Sequence, residues 1–334
     1  MMHRATQTTH NRQHGLTLIE TMVAMAISSV LILGSIQMYT QARSNYRTME
    51  SVARMQENLR FSVDILDDDV RLAGFWGKAG SANAELRNAD AVAITCNGVD
   101  VTDFVMDTEV PNDNRVTPIE GLQQITDLPA GCRGSNPRDN SDILIVRHAT
   151  ANQNTVAQLD VVQIQSNGSL GTFFDDGVAP PTDVTVNSQV FDVSFNAYYV
   201  SNTSKYDASL PSLRRLSLVG NRIEDQEIIP GVENLQVQLG IDTTPSLSNP
   251  QIEMYVDGDD PRIDAGIIVS SRLWLLVRSE TNEAGQGYED TKGPYQTPDA
   301  SGLQVGPSID ADDYPATYRR TALSRTIVLR NLAE

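Results

Sequence analysis

Positive charge, histidine and cysteine are scarce in this sequence, and each scarcity removes a class of function. The 334 residues hold 25 Lys and Arg against 43 Asp and Glu, a formal charge of −18. Such a surface repels nucleic-acid phosphates and excludes generic DNA or RNA binding as the main activity. Of the 4 histidines, His3, His10 and His14 crowd the first residues and only His148 lies in the body, so no multi-His metal centre can be built there. Cys96 and Cys132 are the only thiols, which excludes Cys-rich zinc and iron–sulfur sites. His148 would have to serve any Ser-His-Asp triad, yet no nucleophile motif accompanies it, and a polar histidine at a strand end is the simpler reading. No Gly-rich phosphate loop follows any strand. The composition therefore points away from enzyme chemistry and calls for no cofactor. Aromatics are few (7 Phe, 2 Trp, 10 Tyr) in a chain that is 40% hydrophobic with 22 Gly and 15 Pro. The expected core is aliphatic and the expected head rich in turns.

What the chain does have is one long apolar run. Residues 1–15 are polar, carry Arg4 and Arg12 and contain no acid; Leu16 to Ile36 then reads LTLIETMVAMAISSVLILGSI, with Glu20 its only charge. A helix of that length crosses a hydrocarbon layer of about 30 Å. The basic flank predicts a cytoplasmic start and a translocated remainder. A secretory signal with a cleavage site among Ala24, Ala26 and Ser28 can be drawn, but it has no use for Glu20. An acid inside an apolar span costs on the order of 3 kcal/mol on insertion and asks for a partner.

Gly15-Leu16-Thr17-Leu18-Ile19-Glu20, at the start of such a helix, resembles the processing site of type IV prepilins and type II secretion pseudopilins. The resemblance implies cleavage between Gly15 and Leu16 by a prepilin peptidase, N-methylation of Leu16, and pairing of Glu20 with the positive amino terminus of a neighbouring subunit. Leu16 stands where Phe is commonest in that family, and the leader is longer than that of many major pilins.

Beyond Ile36 the helical pattern continues with a new face. Val52, Leu59, Val63, Leu66 and Val70 form an apolar stripe, with Arg54, Glu57, Arg60, Asp64 and Asp67 between them. The pattern predicts one helix over about 17–72, bare and apolar in its first half and sheet-covered in its second, stopped by Gly74 with Phe75 and Trp76 beneath the head. Asp67-Asp68-Asp69 cannot converge on one ion from consecutive helical positions, so a solvated face is expected. Residues 78–140 are loop-rich and contain both cysteines. In an oxidising compartment a Cys96–Cys132 bridge is expected to stabilise by about 4 kcal/mol. From residue 140 the period becomes two, with strands expected over 142–147, 159–165, 190–200, 213–219, 232–241, 272–278 and 321–330. Strands without helix-length connectors make an antiparallel head. The fold class is therefore α+β: a long N-terminal helix and an antiparallel β-sheet head. The expected divisions are a leader (1–15), an apolar half-helix (16–42), an amphipathic half-helix (43–74) and a head (75–334) with two possible lobes, 75–140 and 141–334. Asp257, Asp259 and Asp260 around Gly258 are weak calcium candidates; their spacing lacks the full EF-hand pattern and a solvated turn is the simpler reading.

Several blocks narrow the resemblance: Asp69-Val70-Arg71-Leu72-Ala73-Gly74-Phe75, Leu213 to Leu216 feeding Ile229 to Val237, Leu275 to Ser279, Tyr318 to Arg320 and Ile327 to Asn331. Together they resemble the PilW family of type IV pilus minor pilins, although the Val232 to Val237 block is shared with J-type minor pseudopilins of type II secretion. The resemblance implies a structural subunit that primes or caps a pilus. Its implied partners are other minor pilins, the major pilin, the prepilin peptidase, the inner-membrane assembly platform and, before assembly, membrane lipid. It implies a single-pass inner-membrane protein with a periplasmic head, later carried to the pilus tip. A pseudopilin of a secretion machine and an adhesin-like ligand-binding head remain the alternatives.

Overall fold

The computed structural model describes residues 15–79, 85–87, 91–107, 116–123, 125–154, 156–168, 170–179, 187–244, 250–263, 266–283, 285, 288–291, 295–296, 308–309 and 314–331. Residues 1–14 of the expected leader lie outside them. The chain forms two compact units, Met1–Glu50 and Ser51–Glu334.

Helix α1 spans Leu18–Leu72 and buries Met55, Leu59, Ser62, Val63, Leu66 and Val70. These positions recur every three or four residues and give one stripe. The helix ends as its sequence demands: Gly74 takes a φ of 74° that a side chain would resist, and its N–H donates to Arg147 O at 3.1 Å. Asn331 Nδ2 donates to the free carbonyls of Arg71 and Ala73, so the end of the chain caps the end of the helix. Trp76 then sits 2% exposed, edge-on to Phe173 at 5.6 Å.

The strands are β1 (Glu85–Arg87), β2 (Thr95–Cys96), β3 (Val99–Asp100), β4 (Ile119–Leu122), β5 (Ile143–Asn154), β6 (Leu159–Ser166), β7 (Leu170–Asp176), β8 (Gln189–Ser201), β9 (Ser212–Val219), β10 (Arg222–Pro230), β11 (Val232–Asp242), β12 (Met254–Asp257), β13 (Ile267–Arg278), β14 (Tyr295–Gln296), β15 (Ser308–Ile309) and β16 (Arg320–Val328). The larger sheet has ten strands in the order β1-β7-β6-β8-β9-β10-β2-β3, with β5 on β8 and β4 on β5; a four-stranded sheet runs β12-β11-β13-β16. Pairing is antiparallel except for the short parallel pairs β1 with β7 and β2 with β10. Strands before and after residue 141 thus share one sheet, and the change of sheet falls at Gly231.

All seven expected strands are present. Sequence reading missed β7, β10 and β12 and the short strands β1 to β4, β14 and β15. In β10, RIEDQEIIP, the charges hide the strand because they are satisfied across the sheet: Glu227 lies opposite Arg214 and Gln226 opposite Arg215.

Two cores follow from the layering. One lies on the far side of the large sheet and holds Trp76, Ile94, Ile145, Phe173, Phe195 and Tyr199. The other packs the α1 stripe against Leu144, Val146, Leu235, Val237, Leu273 and Leu275. β5 serves both, its odd residues facing one core and its even residues the other.

Candidate functional site

Gly15 and Leu16 lie just before α1, outside any helix or strand. A Cβ on Gly15 would meet nothing within 4 Å, and Leu16 is 75% exposed, so this peptide bond is open to another protein. Thr17 caps the helix: its Oγ1 accepts from Glu20 N at 3.3 Å and its carbonyl from Thr21 N at 3.2 Å. Thr17 and Glu20 occupy the first and last positions of a capping box, a start signal present in the sequence that the motif reading did not use. The first-turn position also sets the Glu20 carboxylate at the positive end of the helix dipole.

From Leu18 to Tyr39 the apolar side chains are exposed around the whole helix, Leu18 at 75%, Met25 at 75% and Leu31 at 66% among them. The segment has a mean hydropathy of 1.9 over 18 residues, and α1 is long and apolar enough to cross a membrane. Four of the hydroxyls along this stretch of α1 are satisfied by the helix itself. Thr21, Ser29, Ser35 and Thr40 each donate to a carbonyl three or four residues back, which removes the cost of carrying them into lipid.

In the head the three adjacent acids of α1 part company. Only Asp68 is exposed. Asp67 binds Arg71 and Arg325, and those two guanidiniums hold its carboxyl below the usual range against the opposing effect of burial. Asp69 accepts from Asn196 Nδ2 and faces His148 Nε2 at 2.9 Å. The expectation of a solvated face is corrected for Asp67 and Asp69. His148 is also no strand-end residue: it lies within β5, 4% exposed, on the even face that the strand turns toward α1.

Arg147, on the opposite face of β5, was read only as the end of a strand. It is 2% exposed and donates to Val105 O, Thr117 O, Phe104 O and Glu120 Oε2 at 2.8 to 3.1 Å. One guanidinium thereby ties the short helix Thr102–Met106 and the β4 approach to the large sheet. The disulfide joins Cys96 to Cys132 and fastens the β2–β3 hairpin to the segment before β5.

The calcium candidates have protein partners. Asp257 accepts from Gln238 and Asp259 from Gln123. Asp260 is held down to about 2 by Arg262 and the Arg262 backbone N–H. Among the described residues no group of three His, Cys, Asp or Glu is arranged to hold a metal ion. Asp142, close to Asp257 and Asp259, is pushed up to about 7, chiefly by burial and further by those two charges, while the Val237 N–H opposes the rise.

Comparison with known proteins adds two sequence matches. The family described as type IV pilus-assembly protein W matches residues 197–331, from the middle of β8 through β16, and the prokaryotic N-terminal methylation motif matches residues 10–36. No curated protein matches. Among solved structures, the type IV-like pilin TTHA1219 from Thermus thermophilus is similar at 11% identity and a TM-score of 0.32, covering 84% of this chain and 99% of its own; a likeness that remote bears on neither mechanism nor partners.

Proposed function

We propose that this type IV pilin-like chain, with a PilW domain at its C-terminal end and a methylation motif at its start, works by assembly as a minor pilin that primes or caps a filament. The observation that carries the reading is the coincidence of the methylation motif with a capped helix whose apolar side chains are exposed on every side. In this reading a prepilin peptidase cuts between Gly15 and Leu16, and Leu16 is N-methylated. Residues 16–42 are stored in the inner membrane and then bundle with the helices of other minor pilins and the major pilin. Residues 43–74 carry the head, which extends from residue 75 and stands in the periplasm until the assembly platform extrudes it to the pilus tip. Glu20 sets the register by pairing with the amino terminus of a neighbour, which offsets the cost of its charge in an apolar setting.

Cleavage also removes Arg4 and Arg12, so the mature chain is more acidic still. Repulsion among such heads favours few copies at a filament end over dense repetition. The nearest second reading, a J-type pseudopilin, is favoured by the block Val232 to Val237; shearing cells separates the two, because a pilus subunit leaves with the sheared filaments and a pseudopilin stays behind. An adhesin-like tip would show saturable binding of purified filaments to a surface or sugar. The test of the central reading is the intact mass and N-terminal sequence of the chain from its native membrane. A start at Leu16 with about one added methyl group is expected. A start at Met1, or a cut near Ala26, refutes it.

A further inference from the structure

Between Glu20 and Glu50 the only charged residues are Arg43 and Arg47. In a chain of formal charge −18 this is an acid-free window, and its two arginines stand where the apolar stretch of α1 ends. The arginines further along the helix have acidic partners: Arg54 with Glu280, Arg60 with Asp64 and Arg71 with Asp67. Arg43 and Arg47 are exposed and have no ion-pair partner among the described residues. Two tyrosines are interleaved with them, Tyr39 at 68% and Tyr46 at 70% exposure. At about 100° per residue these four positions fall within an arc of about 100°. The other side of the same turns carries uncharged residues, among them Gln41 and Asn45, which bond to each other at 3.1 Å.

The spacing fits this group to a membrane boundary. From Leu18 to Tyr39 a helix rises about 32 Å, close to the hydrocarbon thickness of about 30 Å. Arg43 then lies about 6 Å and Arg47 about 12 Å beyond Tyr39. The headgroup layer on each side is about 5–8 Å deep. Side chains on a helix lean toward its N-terminus, here back toward the apolar segment, so Arg47 reaches that layer along its own methylenes. Tyrosine suits the same depth, because its ring is apolar and its hydroxyl polar. A guanidinium without a carboxylate of its own finds its complement in a phosphate. An anionic bilayer repels the acidic bulk of the chain and attracts these two arginines.

We propose that Tyr39, Arg43, Tyr46 and Arg47 form a one-sided collar that binds anionic phospholipid headgroups at the end of the apolar segment remote from Leu16 and so fixes the depth at which the chain is stored; this rests on the membrane-storage step of the assembly reading. The test reconstitutes the full chain, purified from its native membrane, in phosphatidylcholine vesicles with a minority of phosphatidylglycerol. Electron spin resonance then compares how strongly spin-labelled forms of the two lipids associate with it. Phosphatidylglycerol is expected to be preferred by at least about fivefold. Arg43→Gln combined with Arg47→Gln lowers that preference by at least about fivefold, while Arg60→Gln leaves it unchanged and every variant melts like the parent. Tyr39→Trp reads the depth, because Trp76 and Trp274 are buried in the head: a nitroxide near the headgroups is expected to quench the new indole more than one at the bilayer centre. No preference in the parent, a preference that survives the double substitution, or stronger quenching from the centre overturns the proposal. So does a double variant that keeps the lipid preference and loses a partner subunit, which assigns the arginines to protein contact. A chain that alkaline carbonate strips from its native membrane sinks the storage step and the collar together, whereas a chain that stays but shows no lipid preference sinks the collar alone.

Discussion

His148 Nε2 of β5 lies 2.9 Å from Asp69 Oδ1 of α1, and this pair joins the helix to the large sheet across the core between them. Both side chains are largely withdrawn from water. Nδ1 lies 2.7 Å from Ala149 O, and Asn196 Nδ2 reaches both Asp69 oxygens at 3.0 and 3.1 Å. Removing the carboxylate takes the partner from His148 Nε2 and leaves Asn196 Nδ2 only Ser194 Oγ, at 3.2 Å. Asp69→Ala is expected to cost about 3 kcal/mol, against less than about 0.5 kcal/mol for the exposed neighbour Asp68→Ala. Thermal unfolding of the full chain in detergent reads both; equal effects would contradict the buried-network account.

Asp142 makes stability depend on pH in the less common direction. Its folded carboxyl is raised to about 7 from an ordinary value near 4, so the folded state holds the proton more tightly than the unfolded one. Its contribution to stability is full below about pH 4 and is lost as pH rises through about 7. The difference amounts to at most about 4 kcal/mol. Asp142→Asn keeps an oxygen for the Val237 N–H and removes the ionised form. It is expected to raise the melting temperature at pH 8 and to change little at pH 4. A gain of the same size at both pH values would show that charge is not the cause.

Arg147 offers a test of guanidinium geometry. Its donors are matched to three carbonyls and one carboxylate, a fork that a lysine ammonium cannot reproduce. Arg147→Lys is expected to destabilise by about 2 kcal/mol and Arg147→Met by about 3 kcal/mol or more, because the carbonyls of Phe104, Val105 and Thr117 lose their donor. Urea unfolding followed by the fluorescence of the buried Trp76 and Trp274 measures this. Wild-type stability for the lysine variant would mean that charge alone suffices.

These residues also mark how far the sequence could be read. Helix α1 and its buried stripe were legible because periodicity and burial have the same cause, and the processing motif was legible because its parts are adjacent in the chain. Strand parity could also have placed His148: Leu144, Val146 and His148 share one face, so a histidine on that face must meet whatever covers it. Arg147 was illegible because its main partners are backbone carbonyls from distant segments, which leave no mark in composition. β10 was missed because its charges are paired only across the strand, and Asp142 because burial, not the residue type, shifts its proton affinity.

Glu20 carries two roles that one pair of substitutions separates. Its N–H bonds to Thr17 Oγ1, and its carboxylate sits in the first turn of α1, at the capping-box position and the positive end of the helix dipole; the assembly reading adds an ion pair with a neighbour's amino terminus. Glu20→Gln can still cap but carries no charge, whereas Glu20→Ala loses both. If the ion pair sets the register, both variants are cleaved at Gly15 and both reduce incorporation into filaments by at least about tenfold, since an unpaired terminus in an apolar bundle costs on the order of 3 kcal/mol. If capping is the whole role, Glu20→Gln behaves like the parent and only Glu20→Ala fails. Gly15→Val belongs to a different step: it should leave an unprocessed chain in the membrane, since a branched side chain there blocks the peptidase without touching α1. Counting filaments by electron microscopy at native expression, with the N-terminus of each variant sequenced in parallel, assigns every outcome to cleavage, capping or charge.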